Sequence, residues 1–148
     1  MILFSQRDPR WGSLKLTPQS QTMAKIGCVV TSLAMISTYF KPDRTPADLL
    51  SKLQFTADGR ILWGSVNFEN WKFDWRAYAR DDDAIKFHIE NPDRAVFLNV
   101  ENSSHWVVGV SIPMIGNNYK IADPWLGDYA KIDRYAGRIS GAAYFTRK

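Results

Sequence analysis

The 148-residue chain carries one cysteine, Cys28, and two histidines, His88 and His105. One thiol has nothing to pair with inside the chain, which excludes a disulfide scaffold. Three N/S donors are too few for a structural zinc centre. No stretch approaches the roughly 20 apolar residues of a membrane helix. No run of five or more Lys/Arg marks a nucleic-acid patch, so a nucleic-acid partner is not expected. Polar low-complexity tracts are missing too, while Trp occurs six times and hydrophobic residues make up 45% of the chain, a composition that folds. Nothing in the motifs asks for a cofactor or a metal. Met1-Ile2-Leu3-Phe4 is too short an apolar run for a signal peptide, so synthesis in the cytoplasm is expected.

What is present reads as one domain over residues 1–148, with no repeat and no linker, and a monomer is expected. The net charge of +4 is interspersed, a balance that suits approach to an anionic polymer such as a cell wall. The first quarter, with Pro9, Gly12, Pro18 and the polar stretch 17–22, reads as an ordered arm. Over 27–40, Val29, Leu33, Ile36 and Phe40 form one helical stripe, and Val30, Ala34 and Met35 make the other faces apolar, so this helix belongs in the interior. Thr45-Pro46 opens a second helix over 45–53, and 81–89 a third with acids at its start. Residues 67–73 are expected to form a helical turn. Strands are expected over 94–100, 106–112, 119–123 and 142–146, with Gly116-Asn117-Asn118 as a hairpin turn. Helices first and antiparallel strands later is an α+β order.

Three residues stand where chemistry needs them. Cys28 follows Gly27 at the mouth of the interior helix, where unpaired N–H groups and the helix dipole favour a thiolate. A lone cysteine is more often a small buried hydrophobe, so its position matters only in company. His105 stands at the start of a buried strand, a rigid mount for a general base. Asp123 ends the returning strand of a hairpin that can bring it beside His105, where it would accept the ring N–H and orient the imidazole. His88 reads as a histidine on a charged, solvated helix.

The segments Ser5-Gln6-Arg7-Asp8-Pro9-Arg10-Trp11-Gly12, Met23-Ala24-Lys25-Ile26-Gly27-Cys28-Val29-Val30-Thr31-Ser32-Leu33-Ala34-Met35, Ile61-Leu62-Trp63, His105-Trp106-Val107-Val108 and Asp123-Pro124-Trp125 span nearly the whole chain. In this order they resemble small papain-like cysteine peptidases, in the branch of the bacteriocin-leader (double-glycine) peptidases and their bacterial and phage relatives. The resemblance implies a papain-like α+β fold, with a buried N-terminal helix packed on an antiparallel sheet. It also implies Cys28 as nucleophile, His105 as base, Asp123 as orienter and a glutamine in the oxyanion hole. That role is placed on Gln6, with Gln21 in reserve, since the leader peptidases keep their glutamine a few residues before the cysteine and Gln6 lies 22 positions away. Trp11, Trp63, Trp106 and Trp125 fall in the matching segments and are expected chiefly in the core.

The expected function is hydrolysis of peptide or amide bonds. Peptidoglycan is the first substrate expected, as for an endolysin or cell-wall hydrolase released by a holin-type route. The alternatives are a cytoplasmic peptide or leader processor, and a catalytically dead relative serving as a binding module.

Overall fold

The computed structural model describes residues 1–68 and 70–148; Glu69 lies outside them. Its frame is a seven-stranded antiparallel sheet with helices on both faces, an α+β arrangement. The strands are β1 (Asn67–Phe68), β2 (Trp71–Ala77), β3 (Arg94–Val100), β4 (His105–Ser111), β5 (Lys120–Asp123), β6 (Asp128–Lys131) and β7 (Gly141–Arg147), in the spatial order β1-β2-β7-β3-β4-β5-β6. The helices are α1 (Met23–Ile26), α2 (Cys28–Ser37), α3 (Pro46–Leu49) and α4 (Asp82–Glu90). Among the described residues no helix is long and apolar enough to cross a membrane.

Alternation along β3 builds both layers. Ala95 and Phe97 point to the α2 side, where they meet Leu33, Ile36, Trp71 and Phe145. Val96, Leu98 and Val100 point to the α4 side, with Ile85, Val107, Tyr119 and Ile121. A strand covered on both faces has no use for polar alternation, hence the nearly continuous apolar run. All ten residues of α2 are buried, as its greasy faces require.

The helix over 27–40 is realised as Cys28–Ser37. It stops where Ser37 Oγ and Thr38 Oγ1 bond back to the carbonyls of Leu33 (2.7 Å) and Met35 (2.6 Å), shortly before Pro42. The helix over 45–53 shrinks to Pro46–Leu49, begun where the Thr45 backbone N–H donates to the Asp48 carboxylate at 2.8 Å. In α4 the Asp81 side chain accepts from the Ala84 N–H at 3.1 Å.

Among the described residues of 67–73 the expected helical turn is absent, and Glu69, which that expectation also covers, lies outside them. Asn67–Phe68 form β1 and Trp71 starts β2, because Trp71 and Phe73 alternate against the inner strand β7, with Phe73 opposite Phe145. A bulge at Asp74 then shifts the register. Trp75 pairs with Tyr144 and stacks on it at 4.4 Å on the α4 side, and Arg76, opposite Ala143, returns to the α2 side. The edge strand β6 is short and largely exposed, with no apolar alternation to announce it.

Candidate active site

Cys28 is the first residue of α2, with Gly27 as N-cap joining it to α1. A Cβ at Gly27 would lie 2.2 Å from Met23 Sδ and 2.5 Å from the Met23 carbonyl oxygen, so only glycine lets the two short axes meet here. The join holds the Cys28 side chain at the rim of the core, 7% exposed.

His105 opens β4 and Asp123 closes β5, neighbouring strands with Val108 opposite Ala122. One step along that ladder sets the two side chains diagonally on one face, within reach of each other. His105 Nε2 donates to Asp123 Oδ1 at 2.8 Å. The same imidazole shares a cleft with Cys28, near enough for the sulfur to contribute to raising the ring's pKa. Since Asp123 occupies Nε2, Nδ1 is the nitrogen left for the sulfur.

Asp123 is wholly buried, yet its carboxylate is fully occupied. Oδ1 also accepts from the Trp125 backbone N–H at 2.9 Å, and Oδ2 accepts from Arg134 Nη1 at 3.1 Å and from the Tyr135 hydroxyl. Burial pushes this carboxyl up, but the hydrogen bonds from His105, Tyr135 and the Trp125 N–H outweigh it and hold the pKa at about 2. Burial likewise disfavours a charged imidazole. The hydrogen bond with Asp123, the neighbouring Cys28 sulfur and the charges of both prevail, and His105 rises from 6.5 to about 9. The site is therefore built to hold an imidazolium at neutral pH. Burial and the adjoining Asp123 push the Tyr135 hydroxyl well above its ordinary range, so it stays a donor. Arg134 grips Asp128 through two nitrogens, both at 2.8 Å, and thereby ties the β5–β6 hairpin to the Asp123 carboxylate.

The N-terminal arm clamps this corner from outside. The Gln6 backbone N–H donates to the Pro124 carbonyl at 2.7 Å, and Ser5 Oγ and Arg7 Nε donate to the Trp125 carbonyl. Arg7 lies over the Trp125 ring, 4.6 Å from its centroid. Gly127, at φ +69, admits the arm, since a Cβ there would come within 2.8 Å of the Ser5 nitrogen. The Gln6 side chain is buried, with Nε2 donating to the Ala24 carbonyl at 3.0 Å and Oε1 without a partner. Gln21 is exposed, two residues before α1. The fold thus brings Gln6 next to the Asp123 corner.

Two clefts meet at Cys28. One, of about 590 Å³, contains His105, Trp125, Arg134, Tyr135, Lys25 and Glu101. The other, of about 680 Å³, lies between Trp63, Trp106, Ile26, Phe55 and Arg76 and excludes His105. Trp63 and Trp106 meet edge to face at 5.2 Å and wall the cleft, while Trp11 is buried and donates to the Ser5 carbonyl.

His88 is not on a solvated face. It is 3% exposed, its ring packs 4.4 Å from Tyr144, and Nδ1 bonds the Ala84 carbonyl at 2.8 Å. Burial lowers its pKa, so it is a neutral core group. It borders a separate cavity of about 390 Å³ that contains neither Cys28 nor His105. Among the described residues, no three His, Cys, Asp or Glu side chains converge as a metal ion would require.

Arg134 and Tyr135 escaped the sequence reading. They sit side by side on a 3-10 turn, and only the tertiary fold brings them to Asp123.

No curated protein and no solved structure gives a match to the chain. The model of the Peptidase C39 family matches residues 15–135, a span that takes in Cys28, His105, Asp123, Arg134 and Tyr135 and leaves Gln6 outside. The chain belongs to the Peptidase C39 family of cysteine peptidases.

Proposed function

We propose that the protein is a papain-like hydrolase of peptide or amide bonds that works through Cys28, His105 and Asp123, with cell-wall peptides as its substrate. The observation that carries this reading is one imidazole held at 2.8 Å by a buried carboxylate and sharing a cleft with the single cysteine, where two clefts meet.

In this mechanism the Cys28 sulfur, as thiolate beside the His105 imidazolium, attacks the substrate carbonyl carbon. The carbonyl π pair moves to oxygen. The Cys28 backbone N–H at the start of α2 receives the oxyanion, with Gln6 as the second donor. Collapse of the intermediate breaks the C–N bond, and His105 gives its proton to the leaving amine. Water then attacks the thioester with neutral His105 as base, releasing the acid and restoring the thiolate–imidazolium pair. Asp123 stays ionised throughout and keeps the Nε2–H bond, so Nδ1 always meets the sulfur. Removing one oxyanion donor from such a site costs about 10²–10³ in rate.

The net charge of +4 favours an anionic polymer over a neutral one, which is why wall peptides come first. Release to the wall by a holin-type route belongs to the same reading. The test is the release of new amino groups from purified sacculi. Release that disappears in Cys28→Ala supports the proposal. Cleavage of linear peptides with sacculi untouched would instead indicate a peptide or leader processor, and biological activity unchanged in Cys28→Ala would indicate a binding module.

A further inference from the structure

The cleft that excludes His105 contains a cation with no counter-ion among the described residues. Arg76, Arg60 and Asp58 are its charged side chains. Arg60 and Asp58 pair with each other at 3.4 Å on the surface, which leaves Arg76. Its contacts among the described residues are all neutral. Nη1 donates to the Ala77 carbonyl, and the guanidinium lies 4.0 Å from the Tyr78 ring centroid and 4.8 Å from that of Trp106. The Asn99 amide, with Nδ2 turned to the carbonyls of Ser103 and His105 (3.3 and 3.0 Å), accepts from Arg76 Nη2 at 3.1 Å.

The backbone is arranged around this guanidinium. Without the bulge at Asp74, Arg76 would fall on the α4 side; with it, Arg76 faces the cleft. Gly141, opposite Asn99 in the register, keeps the space open, since a Cβ there would lie 2.8 Å from Arg76 Nη1 and 2.3 Å from the Ala77 carbonyl. A half-buried guanidinium stacked between two rings and steered by a buried amide has its planar fork ordered in advance, the geometry that matches a carboxylate.

The chemistry decides which half of a substrate this cleft receives. The leaving amine takes its proton from His105, so it must lie in the cleft that contains His105. The acyl half then lies in the other cleft, beside Trp63, Trp106 and Arg76. We infer that Arg76 is a specificity residue that binds a carboxylate on the acyl side of the scissile bond, so that the preferred substrate is a peptide with an acidic side chain or free carboxylate there. This inference rests on the peptidase reading given above. It also separates two substrate classes, because an acidic stem peptide satisfies Arg76 and a glycine-rich neutral tail does not.

The test uses peptidyl chloromethyl ketones, from which the Cys28 sulfur displaces chloride to form a thioether. Three pairs of probes carry Glu or Gln at the second, third or fourth residue before the ketone, and labelling of the whole protein is followed by mass. At one position the Glu probe should label the wild-type protein about tenfold faster than its Gln partner. That ratio should fall to about one in Arg76→Gln and be partly restored in Arg76→Lys. Because the ratio is taken within one protein, a general loss of folding does not mimic it. Equal labelling at all three positions, no labelling by any acidic probe, or a ratio that survives in Arg76→Gln overturns the inference. The peptidase reading is checked separately in the wild-type protein by iodoacetamide, which has no acyl half: slow, His105-independent alkylation sinks that reading, whereas fast, His105-dependent alkylation with equal Glu and Gln rates sinks only the role of Arg76.

Discussion

Replacing Asp123 by Asn removes one charge from a fully buried position and leaves its shape nearly unchanged, so the consequences can be worked out group by group. The carboxylate has four donors and no free lone pair to spare: His105 Nε2, the Trp125 N–H, Arg134 Nη1 and the Tyr135 hydroxyl. An amide can accept through one atom only, and its NH₂ must face a donor. Asp123 is depressed from 3.8 to about 2. At about 1.4 kcal/mol per unit the ionised carboxylate contributes on the order of 2 kcal/mol. A depressed carboxyl gives stability that is present above about pH 4 and lost as pH falls through about 2. His105 has the opposite sign. Its folded value, raised from 6.5 to about 9, gives a contribution fully present below about pH 6.5 and lost as pH rises through about 9, of at most about 3 kcal/mol. The thiol of the unfolded chain titrates in the same alkaline range, so the comparison is made in a Cys28→Ser background, where the share of His105's rise that comes from the sulfur is also gone. Urea unfolding is measured from pH 2 to pH 10 for Cys28→Ser and for Cys28→Ser with Asp123→Asn. The difference between the two curves, in which His88 and the remaining groups cancel, should be about 2–4 kcal/mol near pH 5.5 and shrink on both sides. A difference that is constant with pH would refute the coupling of Asp123 to His105.

Other substitutions test other contacts. Gly27→Ala drives a Cβ into the Met23 carbonyl and should destabilise the protein by about 1–3 kcal/mol, read as a lower midpoint in urea. Tyr135→Phe keeps the ring beside His105 and removes one donor to Asp123; stability should fall by about 1–2 kcal/mol, and the His105 imidazole, followed by NMR, should titrate at a changed pH. Gln6→Ala should lower kcat by about 10²–10³ while Gln21→Ala leaves it unchanged; the reverse result would move the oxyanion donor to Gln21. His88→Phe should preserve activity and raise stability below about pH 6.5, because the phenyl ring carries no buried nitrogen without a partner.

What could be read in the sequence follows from how local its causes are. The interior helix announced itself because a segment apolar on every face has only one place to go, and β3, β4 and β7 because Val, Ile, Phe and Tyr cluster there. The hairpin that pairs His105 with Asp123 was legible from a turn signal between two such runs. The start of β2 was misread because Trp71 and Phe73 fit a helical turn as well as a strand until β7 supplies the opposite face. β6 was missed because an exposed edge strand needs no apolar pattern. His88 looked solvated because its own helix is charged, while the rings that bury it, Trp75 and Tyr144, come from other elements, β2 and β7. Arg134, Tyr135 and the neutral cage of Arg76 were invisible for the same reason, since each acts across strands and none forms a local pattern.

The central claim is that Cys28 works as a thiolate paired with the His105 imidazolium, and alkylation by iodoacetamide against pH addresses it without any substrate. The account predicts fast alkylation of native protein already at about pH 6, where a free thiol of pKa near 8.5 is almost wholly protonated, and a large loss of that rate in His105→Ala. Alkylation that stays slow at every pH until the protein unfolds, and that does not respond to His105→Ala, would contradict it.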